Sequence, residues 1–109
     1  IGEVKDRNVL LVDDFIITGR SLTKMADVLR QRGAKDIYAT VSHPAFAEGA
    51  AQRIADSPIR RMFITDTIET FPDLLPECFT IVSVARQFAE AIRSIHDRTS
   101  VSMLFPEGH

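Results

Sequence analysis

The apolar residues of the chain fall into two patterns, short continuous runs and positions three or four residues apart. Short runs bounded by turn residues are typical of buried strands, and the wider spacing is typical of one face of a helix. The runs predict four strands, at residues 9–12, 36–42, 60–65 and 79–84. The spacing predicts helices at 21–32 and 45–55, a last helix with apolar positions Ala85, Phe88, Ala89, Ile92 and Ile95, and then an extended segment at 100–105.

The alternation of strands and helices predicts the fold class. It implies right-handed crossovers and a parallel sheet with helices on its faces, an α/β fold. The 109 residues are enough for a single domain, covering 1–109. The run Val9–Val12 is typical of a strand covered on both faces. We expect the core to include Met25, Phe63, Phe79 and Phe88.

Composition narrows the classes of protein to consider. The net charge is −2, so the basic footprint of a nucleic-acid-binding protein is absent. One cysteine, Cys78, excludes an intramolecular disulfide. No apolar run approaches the ~20 residues that span a bilayer, and the N-terminus lacks the zones of a secretory signal. We therefore expect a cytoplasmic protein without a membrane partner. The opening "IGEVKDRNV" has no Met, which suggests a piece of a longer chain.

The stretch "VLLVDDFIITGRSL" carries the candidate chemistry. Asp13 and Asp14 follow a strand, and ligands of open parallel sheets gather beyond the carboxyl ends of the strands. The turn Thr18-Gly19-Arg20-Ser21 precedes a helix, whose first N–H groups and positive dipole end favour an anion. Gly19 allows close approach of the backbone, and the two hydroxyls and the guanidinium add donors.

Together these residues predict a sugar-phosphate site. Ionised carboxylates only accept hydrogen bonds, so Asp13 and Asp14 match two hydroxyls of a ribose. Residues Thr18, Gly19, Arg20 and Ser21 match its 5-phosphate. The alternative is that paired aspartates after a strand form only a solvated turn and a helix N-cap.

This stretch resembles the phosphoribosyl-diphosphate motif of type I phosphoribosyltransferases and ribose-phosphate diphosphokinases. The motif there is an apolar strand, two acids, two apolar residues, usually an Asp, and then Thr-Gly-x-Thr/Ser. Four further segments resemble the diphosphokinases in order: "YATVSHPAFAEGAAQRIADSPI", "FITDTI", "IVSVARQFAEAIRSIH" and "SVSMLF". The last of these favours the diphosphokinases over the base-transferring relatives.

The resemblance implies a Rossmann-like three-layer phosphoribosyltransferase fold, as the C-terminal half of a two-domain chain. The implied reaction transfers the diphosphoryl group of ATP to ribose 5-phosphate with Mg²⁺, feeding nucleotide biosynthesis. It places ribose 5-phosphate on Asp13, Asp14 and residues 18–21, and a regulatory phosphate or nucleotide on Ser100, Ser102 and Phe105. Family members are commonly hexamers, so a homo-oligomer is implied. The ATP site and the metal-binding residues are expected in the missing N-terminal half, so no catalytic residue or metal ligand is assigned here.

Two residues depart from the pattern of the family. Ile17 stands where an Asp is usual, near the reacting end of the ribose, and Arg20 stands where a small residue is common. Two other functions therefore stay open: a nucleobase phosphoribosyltransferase, and a synthetase-like subunit with a weakened site that regulates active partners. His43 is either a turn residue or a ligand contact, and Asp66 either lines the pocket or forms an Asx-type turn.

Overall fold

A computed structural model describes residues 3–70 and 72–96, and its strands form one parallel sheet. The strands are β1 (Val9–Ile16), β2 (Ile37–Pro44), β3 (Ile59–Thr65) and β4 (Phe79–Val82), in the spatial order β1-β2-β3-β4. The helices are α1 (Arg20–Gln31), α2 (Ala50–Ala55) and α3 (Ala85–His96), with a short 3₁₀ turn at Pro72–Leu74. The predicted α/β fold with a parallel sheet and flanking helices is confirmed. The predicted segment at 100–105 lies outside the described residues.

The first strand is longer than its apolar run. Beyond Val12 it continues to Ile16, because Asp13, Phe15 and Ile16 pair with Val41, His43 and Pro44 of β2. The prediction that the strand ends at residue 12, with Asp13 and Asp14 following it, is therefore wrong. Backbone pairing does not depend on side-chain polarity, so two aspartates continue the strand. The carboxylates lie within the last half of β1 and not after it.

The first helix ends as the sequence predicts, within one residue at each end. Its buried residues Leu22, Ala26 and Leu29 recur at helical spacing. Gly33 follows with φ +87°, and its N–H donates to the Arg30 carbonyl over 3.0 Å. The second helix is shorter than the predicted 45–55, because only residues 50–55 are helical.

The core lies between the sheet and the helices α1 and α2. It includes Ile37, Ala39 and Val41 of β2 and the alternate residues Met62 and Ile64 of β3, all of them buried. Ile54 of α2 and the three buried residues of α1 cover the same face. This packing fixes where the carboxyl ends of the strands lie relative to the starts of the two helices.

The opposite face of the sheet is open over β1. Leu10 and Val12 are 57% and 74% exposed, so the prediction of a strand covered on both faces is wrong among the described residues. The helix α3 lies near the ends of β2 and β3, where a cavity of about 370 Å³ is lined by Ser42, Thr65 and Phe88, among others. Phe88 is 59% exposed, and Met25 is exposed too, so neither is a core residue. None of the described helices is both long enough and apolar enough to cross a bilayer.

Candidate functional site

The loop between β1 and α1 forms a cavity at the carboxyl edge of the sheet. Its volume is about 260 Å³. It is lined by Asp13, Phe15, Ile16, Ile17, Thr18, Gly19, Ser21 and Leu22. Four of the six residues that the sequence predicts for a ribose phosphate are therefore brought together here: Asp13, Thr18, Gly19 and Ser21.

The backbone of the loop turns at Gly19. This residue has φ +76° and ψ 2°, in the left-handed region that residues with a Cβ rarely adopt. The space around it is equally restrictive, because a Cβ built there would lie 3.3 Å from Cγ1 of the Ile54 side chain. A glycine is thus required at this position both by the backbone conformation and by the packing of α2.

The N-terminus of α1 opens toward this cavity. Gly19 is its N-cap and offers no side chain, and the first turn of the helix contains no acidic residue. The Arg20 N–H makes only a long hydrogen bond, 3.4 Å, to the Thr18 hydroxyl. The first turn closes with the Thr23 N–H donating to the Gly19 carbonyl over 3.0 Å. The start of α1 is therefore suited to an anion, which would supply the missing acceptors.

The two aspartates occupy different positions relative to the cavity. Asp13 pairs with Val41 of β2 and lies on the same side of the strand as Leu11. Asp13 lines the cavity, and one of its oxygens accepts the Asp14 N–H over 2.8 Å. Asp14 is exposed and does not line this cavity. The geometry therefore ranks Asp13 as the closer acceptor for a ligand in the loop.

Arg20 lines a neighbouring cavity of about 330 Å³ on the outer side of α1. It shares that cavity with Ser21, Lys24, Asp27 and Arg53, so three cations and one carboxylate line one space. Ser21 belongs to both cavities, which makes them adjacent. The cations of this space are therefore donors close to any anion that the loop holds.

Two contacts to the loop were missed by the sequence analysis. Nη1 of Arg53 donates to the Thr18 carbonyl over 3.2 Å, and the Ala47 N–H donates to the Ile17 carbonyl over 2.8 Å. Both donors come from the segment after β2, about 30 residues further along the chain. No spacing rule within a local motif could have indicated these contacts.

Asp66 and His43 belong to a different cluster. A second cavity of about 380 Å³ is lined by His43, Asp66, Thr67, Val84, Ala85 and Phe88. Nδ1 of His43 lies 3.0 Å from the Thr67 hydroxyl, which donates to the Ser42 carbonyl over 2.8 Å. Neither His43 nor Asp66 lines the loop cavity. The hydroxyl network instead ties the end of β2 to the end of β3.

Asp66 also holds the start of α3. Its two oxygens accept the Ser83 hydroxyl over 2.6 Å and the Val84 N–H over 2.9 Å. These two bonds, the Ser83 hydroxyl first, lower the pKa of Asp66. The carboxylate thus links β3 to α3, which is a different role from the local Asx-type turn considered above.

Removing the Ser83 hydroxyl is expected to raise the pKa of Asp66 toward that of a free aspartate. In Ser83→Ala the charged carboxylate loses its strongest hydrogen bond. Because the folded pKa is depressed, the contribution of Asp66 to stability is present above the unfolded pKa of about 3.9 and is lost as the pH falls through the folded value. A ¹³C NMR titration of the Asp66 carboxyl measures the shift. Ser57→Ala, whose hydroxyl binds the Ile54 carbonyl, serves as the control; an unchanged Asp66 pKa in Ser83→Ala would contradict the assignment.

Among the described residues, no three His, Cys, Asp or Glu side chains converge on a point where they could hold a metal ion. Cys78 is partly buried, and burial raises the pKa of its thiol. A thiol in that environment is a weak nucleophile. Among the described residues, the loop cavity thus combines donors suited to an anion with the carboxylate of Asp13, which is suited to hydroxyl groups.

Known proteins match the chain over nearly its whole length. The sequence model of the family described as phosphoribosyl synthetase-associated domain matches residues 1–106. The ribose-phosphate pyrophosphokinase of Thermotoga maritima is 44% identical over 105 residues, covering 96% of this chain and 33% of the relative. That of Clostridium tetani is 40% identical over the same length, with the same coverage.

A solved structure agrees with these relatives. The crystal structure of phosphoribosylpyrophosphate synthetase from Mycobacterium smegmatis superposes with a TM-score of 0.86 at 31% identity. The match covers 90% of this chain and 33% of that protein. The chain spans about a third of the length of the relatives it matches, and these matches do not confirm the prediction that it is the C-terminal half of a two-domain chain.

Proposed function

Because the chain belongs to the phosphoribosyl synthetase-associated domain family, we propose that it is the part of a ribose-phosphate diphosphokinase that binds ribose 5-phosphate. The observation that carries the proposal is the loop cavity, in which the uncapped start of α1 and the left-handed Gly19 lie across from the carboxylate of Asp13. An anion and a hydroxyl-bearing group separated by a few ångströms fit such a site. Ribose 5-phosphate carries both groups on one small molecule.

The loop and the aspartates would bind different parts of the sugar phosphate. The N–H groups and hydroxyls of Thr18, Gly19 and Ser21 bind the 5-phosphate, with Arg20 at its outer side. Asp13, with Asp14 beside it, accepts hydrogen bonds from the ribose hydroxyls. These contacts hold the sugar so that its C1 hydroxyl faces the nucleotide, and such positioning is the main contribution of a protein to phosphoryl transfer.

The proposed reaction converts ATP and ribose 5-phosphate to AMP and 5-phosphoribosyl 1-diphosphate, a precursor for nucleotide biosynthesis. The C1 oxygen forms a bond to the β-phosphorus of ATP, the bond from that phosphorus to the oxygen of the α-phosphate breaks, and the hydroxyl proton is released. AMP is the leaving group. The relatives are about three times as long as this chain, so we assign the ATP site to the remainder of a full-length protein.

The position and assembly of the chain are part of the same proposal. The resemblance of "SVSMLF" to the ends of diphosphokinases supports a C-terminal location. Ser100, Ser102 and Phe105 lie outside the described residues, and their regulatory role remains a proposal. The cytoplasmic location and the homo-oligomer are proposals too. The exposed Leu10 and Val12 provide apolar surface that a second subunit could cover.

Mg²⁺ is implied by the resemblance, but the described residues do not form a site for it. Asp13 and Asp14 are not joined by a third acidic or imidazole side chain among the described residues. Mg²⁺ is usually held by one or two carboxylates together with substrate phosphates and water, so these two aspartates would hold it only jointly with a bound substrate. We therefore assign no step of the reaction to a metal held by the described part of this chain.

The proposal is tested by binding and by turnover measured separately. Isothermal titration calorimetry is expected to show that ribose 5-phosphate binds to the full-length protein, and that ribose and inorganic phosphate each bind far more weakly. Residues 1–109 alone are expected to form no detectable 5-phosphoribosyl 1-diphosphate from ATP and ribose 5-phosphate. A full-length protein that binds ribose and ribose 5-phosphate equally would contradict the proposal, because the loop would then not recognise the phosphate.

Ile17 favours a second candidate function, a synthetase-like subunit that regulates active partners. Its side chain is 50% exposed and lines the cavity beside Asp13. An isoleucine can neither accept a hydrogen bond nor take a proton, so the site presents an apolar group near the reacting end of the sugar. A weakened site of this kind would still bind ribose 5-phosphate while turning over slowly.

Replacing Ile17 with aspartate distinguishes the two functions. In the full-length protein, a weakened site predicts that Ile17→Asp raises kcat by roughly tenfold, less than the 10²–10⁴ of a fully positioned general base. The physical reason is that a carboxylate at this half-exposed position can accept hydrogen bonds and a proton from the substrate. Ile17→Asn, which is polar but does not ionise, should show no such gain. An unchanged kcat in Ile17→Asp would contradict the weakened site and favour an enzyme adapted to an apolar residue.

A further inference from the structure

The loop that forms the cavity accepts two hydrogen bonds from the segment that contains α2. The Ile17 carbonyl accepts the N–H of Ala47, and the Thr18 carbonyl accepts Nη1 of Arg53. Two successive carbonyls of the loop thus point toward the same neighbouring segment. Both bonds have ordinary lengths, 2.8 and 3.2 Å.

Because each peptide is planar, a contact that fixes a carbonyl also fixes the direction of the N–H group in the same peptide. In a trans peptide the carbonyl and the N–H of the next residue point in opposite directions. Fixing the Ile17 carbonyl therefore aims the Thr18 N–H away from Ala47, and fixing the Thr18 carbonyl aims the Gly19 N–H away from Arg53. Both residues line the loop cavity. The two carbonyl contacts thus limit the directions that these neighbouring N–H groups can take, and successive N–H groups of this kind bind anions.

Arg53 is well placed to fix the second of these peptides. It lies in the last turn of α2, is half-buried, and belongs to the same helix as Ile54, which is fully buried beneath Gly19. One helix thus supports the loop through packing and through a hydrogen bond. The described part of the chain places no carboxylate within ion-pair distance of Arg53, and Asp27 is the one carboxylate that lines the same cavity.

We infer that Arg53 is a positioning residue for phosphate recognition, acting through the Thr18 carbonyl to orient the Gly19 N–H. The inference rests on the proposed function for the identity of the ligand, but the orientation of the peptide is a property of the free protein. Arg53 acts through the loop and need not touch the phosphate. Its role is to lower the cost of ordering the loop when the anion binds.

The experiment uses three variants of the full-length protein. Arg53→Met keeps the aliphatic stem and removes the donor, and Arg53→Lys keeps a cationic donor. Arg60→Met is the matched control. Arg60 lies at the start of β3, at the amino ends of the strands and away from the loop, and it pairs with Asp36. Calorimetry gives the affinity for ribose 5-phosphate, and selective ¹⁵N labelling reports the Thr18 and Gly19 amides of the free protein.

We expect Arg53→Met to weaken ribose 5-phosphate binding by roughly tenfold, the effect of one hydrogen bond from a charged donor, while Arg53→Lys recovers most of the affinity. The Gly19 amide of the free protein should shift in Arg53→Met and not in Arg60→Met. An unchanged Gly19 amide would overturn the inference, even with weaker binding, because Arg53 would then contact the anion directly. Unchanged affinity in Arg53→Met would overturn it as well.

The two readouts separate the inference from the proposed function. If the wild-type protein did not bind ribose 5-phosphate, the proposed function would fail, and the Gly19 amide would still report whether Arg53 orients the loop. If the wild-type protein bound the ligand and Arg53→Met bound it equally well, only the role of Arg53 would fail.

Discussion

Gly19→Ala is expected to weaken the binding of ribose 5-phosphate by roughly 100-fold, through the loss of one or two hydrogen bonds to a charged group. At φ +76° an alanine costs about 1–2 kcal/mol, so the loop escapes the strain by rotating its peptides. The added Cβ also approaches the Ile54 side chain at 3.3 Å, which moves the loop away from α2. Calorimetry on the full-length protein measures the affinity, and urea unfolding measures the stability.

Gly49→Ala is the matched control for this prediction. Gly49 also has a positive φ, +83°, and is also the N-cap of a helix, but nothing lies within 4 Å of a Cβ built there. The two variants share the backbone strain and differ in crowding and in position. We expect Gly49→Ala to lose stability while retaining affinity for ribose 5-phosphate. Equal losses of affinity in both variants would show that destabilisation, and not the shape of the loop, accounts for the effect.

Asp13→Asn is expected to weaken the binding of ribose 5-phosphate by roughly 50-fold, the effect of losing charged acceptors for two hydroxyls. The substitution nearly preserves the shape of the side chain and removes its charge. Asp14→Asn should have a smaller effect, because Asp14 is exposed and does not line the cavity that Asp13 lines. The affinities are measured by titration calorimetry on the full-length protein.

The ligand provides the control for Asp13→Asn. Wild-type protein should prefer ribose 5-phosphate over 2-deoxyribose 5-phosphate, and the preference should decrease in Asp13→Asn. Binding of inorganic phosphate should be the same in both proteins, since the loop is untouched. A preference for the 2-hydroxyl that persists in Asp13→Asn and disappears in Asp14→Asn would reverse the ranking of the two carboxylates.

The sequence predicted elements best where one periodicity continued without interruption. The helix α1 was placed within one residue, because Leu22, Ala26 and Leu29 form one apolar stripe and Gly33 ends it. The strand β1 was cut short, because its second half carries aspartates that pair through the backbone alone. The segment before α2 was predicted as helix, because its small and apolar residues fit more than one conformation.

Prediction of burial failed where it depended on what lies next to a strand. The run Val9–Val12 has the composition of a strand covered on both faces, yet Val12 is among the most exposed apolar residues described. An apolar run indicates that a strand is buried in the functional protein. The covering surface can come from a segment outside residues 1–109 or from another subunit. In Phe88 and Ile92 of α3, likewise, the sequence indicates a buried face that the described residues leave exposed.

The sequence predicted the residues of the candidate site that are close in the chain and missed the distant one. Asp13, Thr18, Gly19 and Ser21 are close in sequence, and a short motif with a helix start brings them together. Asp14 does not line the cavity, and the apolar run did not indicate this, because it did not show that β1 continues to Ile16. Arg53 is 35 residues from Thr18, and only the packing of α2 against α1 brings it near.

The binding loop is attached to the outermost strand of the sheet. β1 pairs with β2 alone among the described strands, so opening this one ladder would release the carboxylates and the loop together. Edge strands with few buried contacts open at a lower free energy than central ones. A ligand that bridges Asp13 and the loop would therefore protect the amides of β1 against hydrogen exchange. Its binding would raise the free energy needed to open this strand.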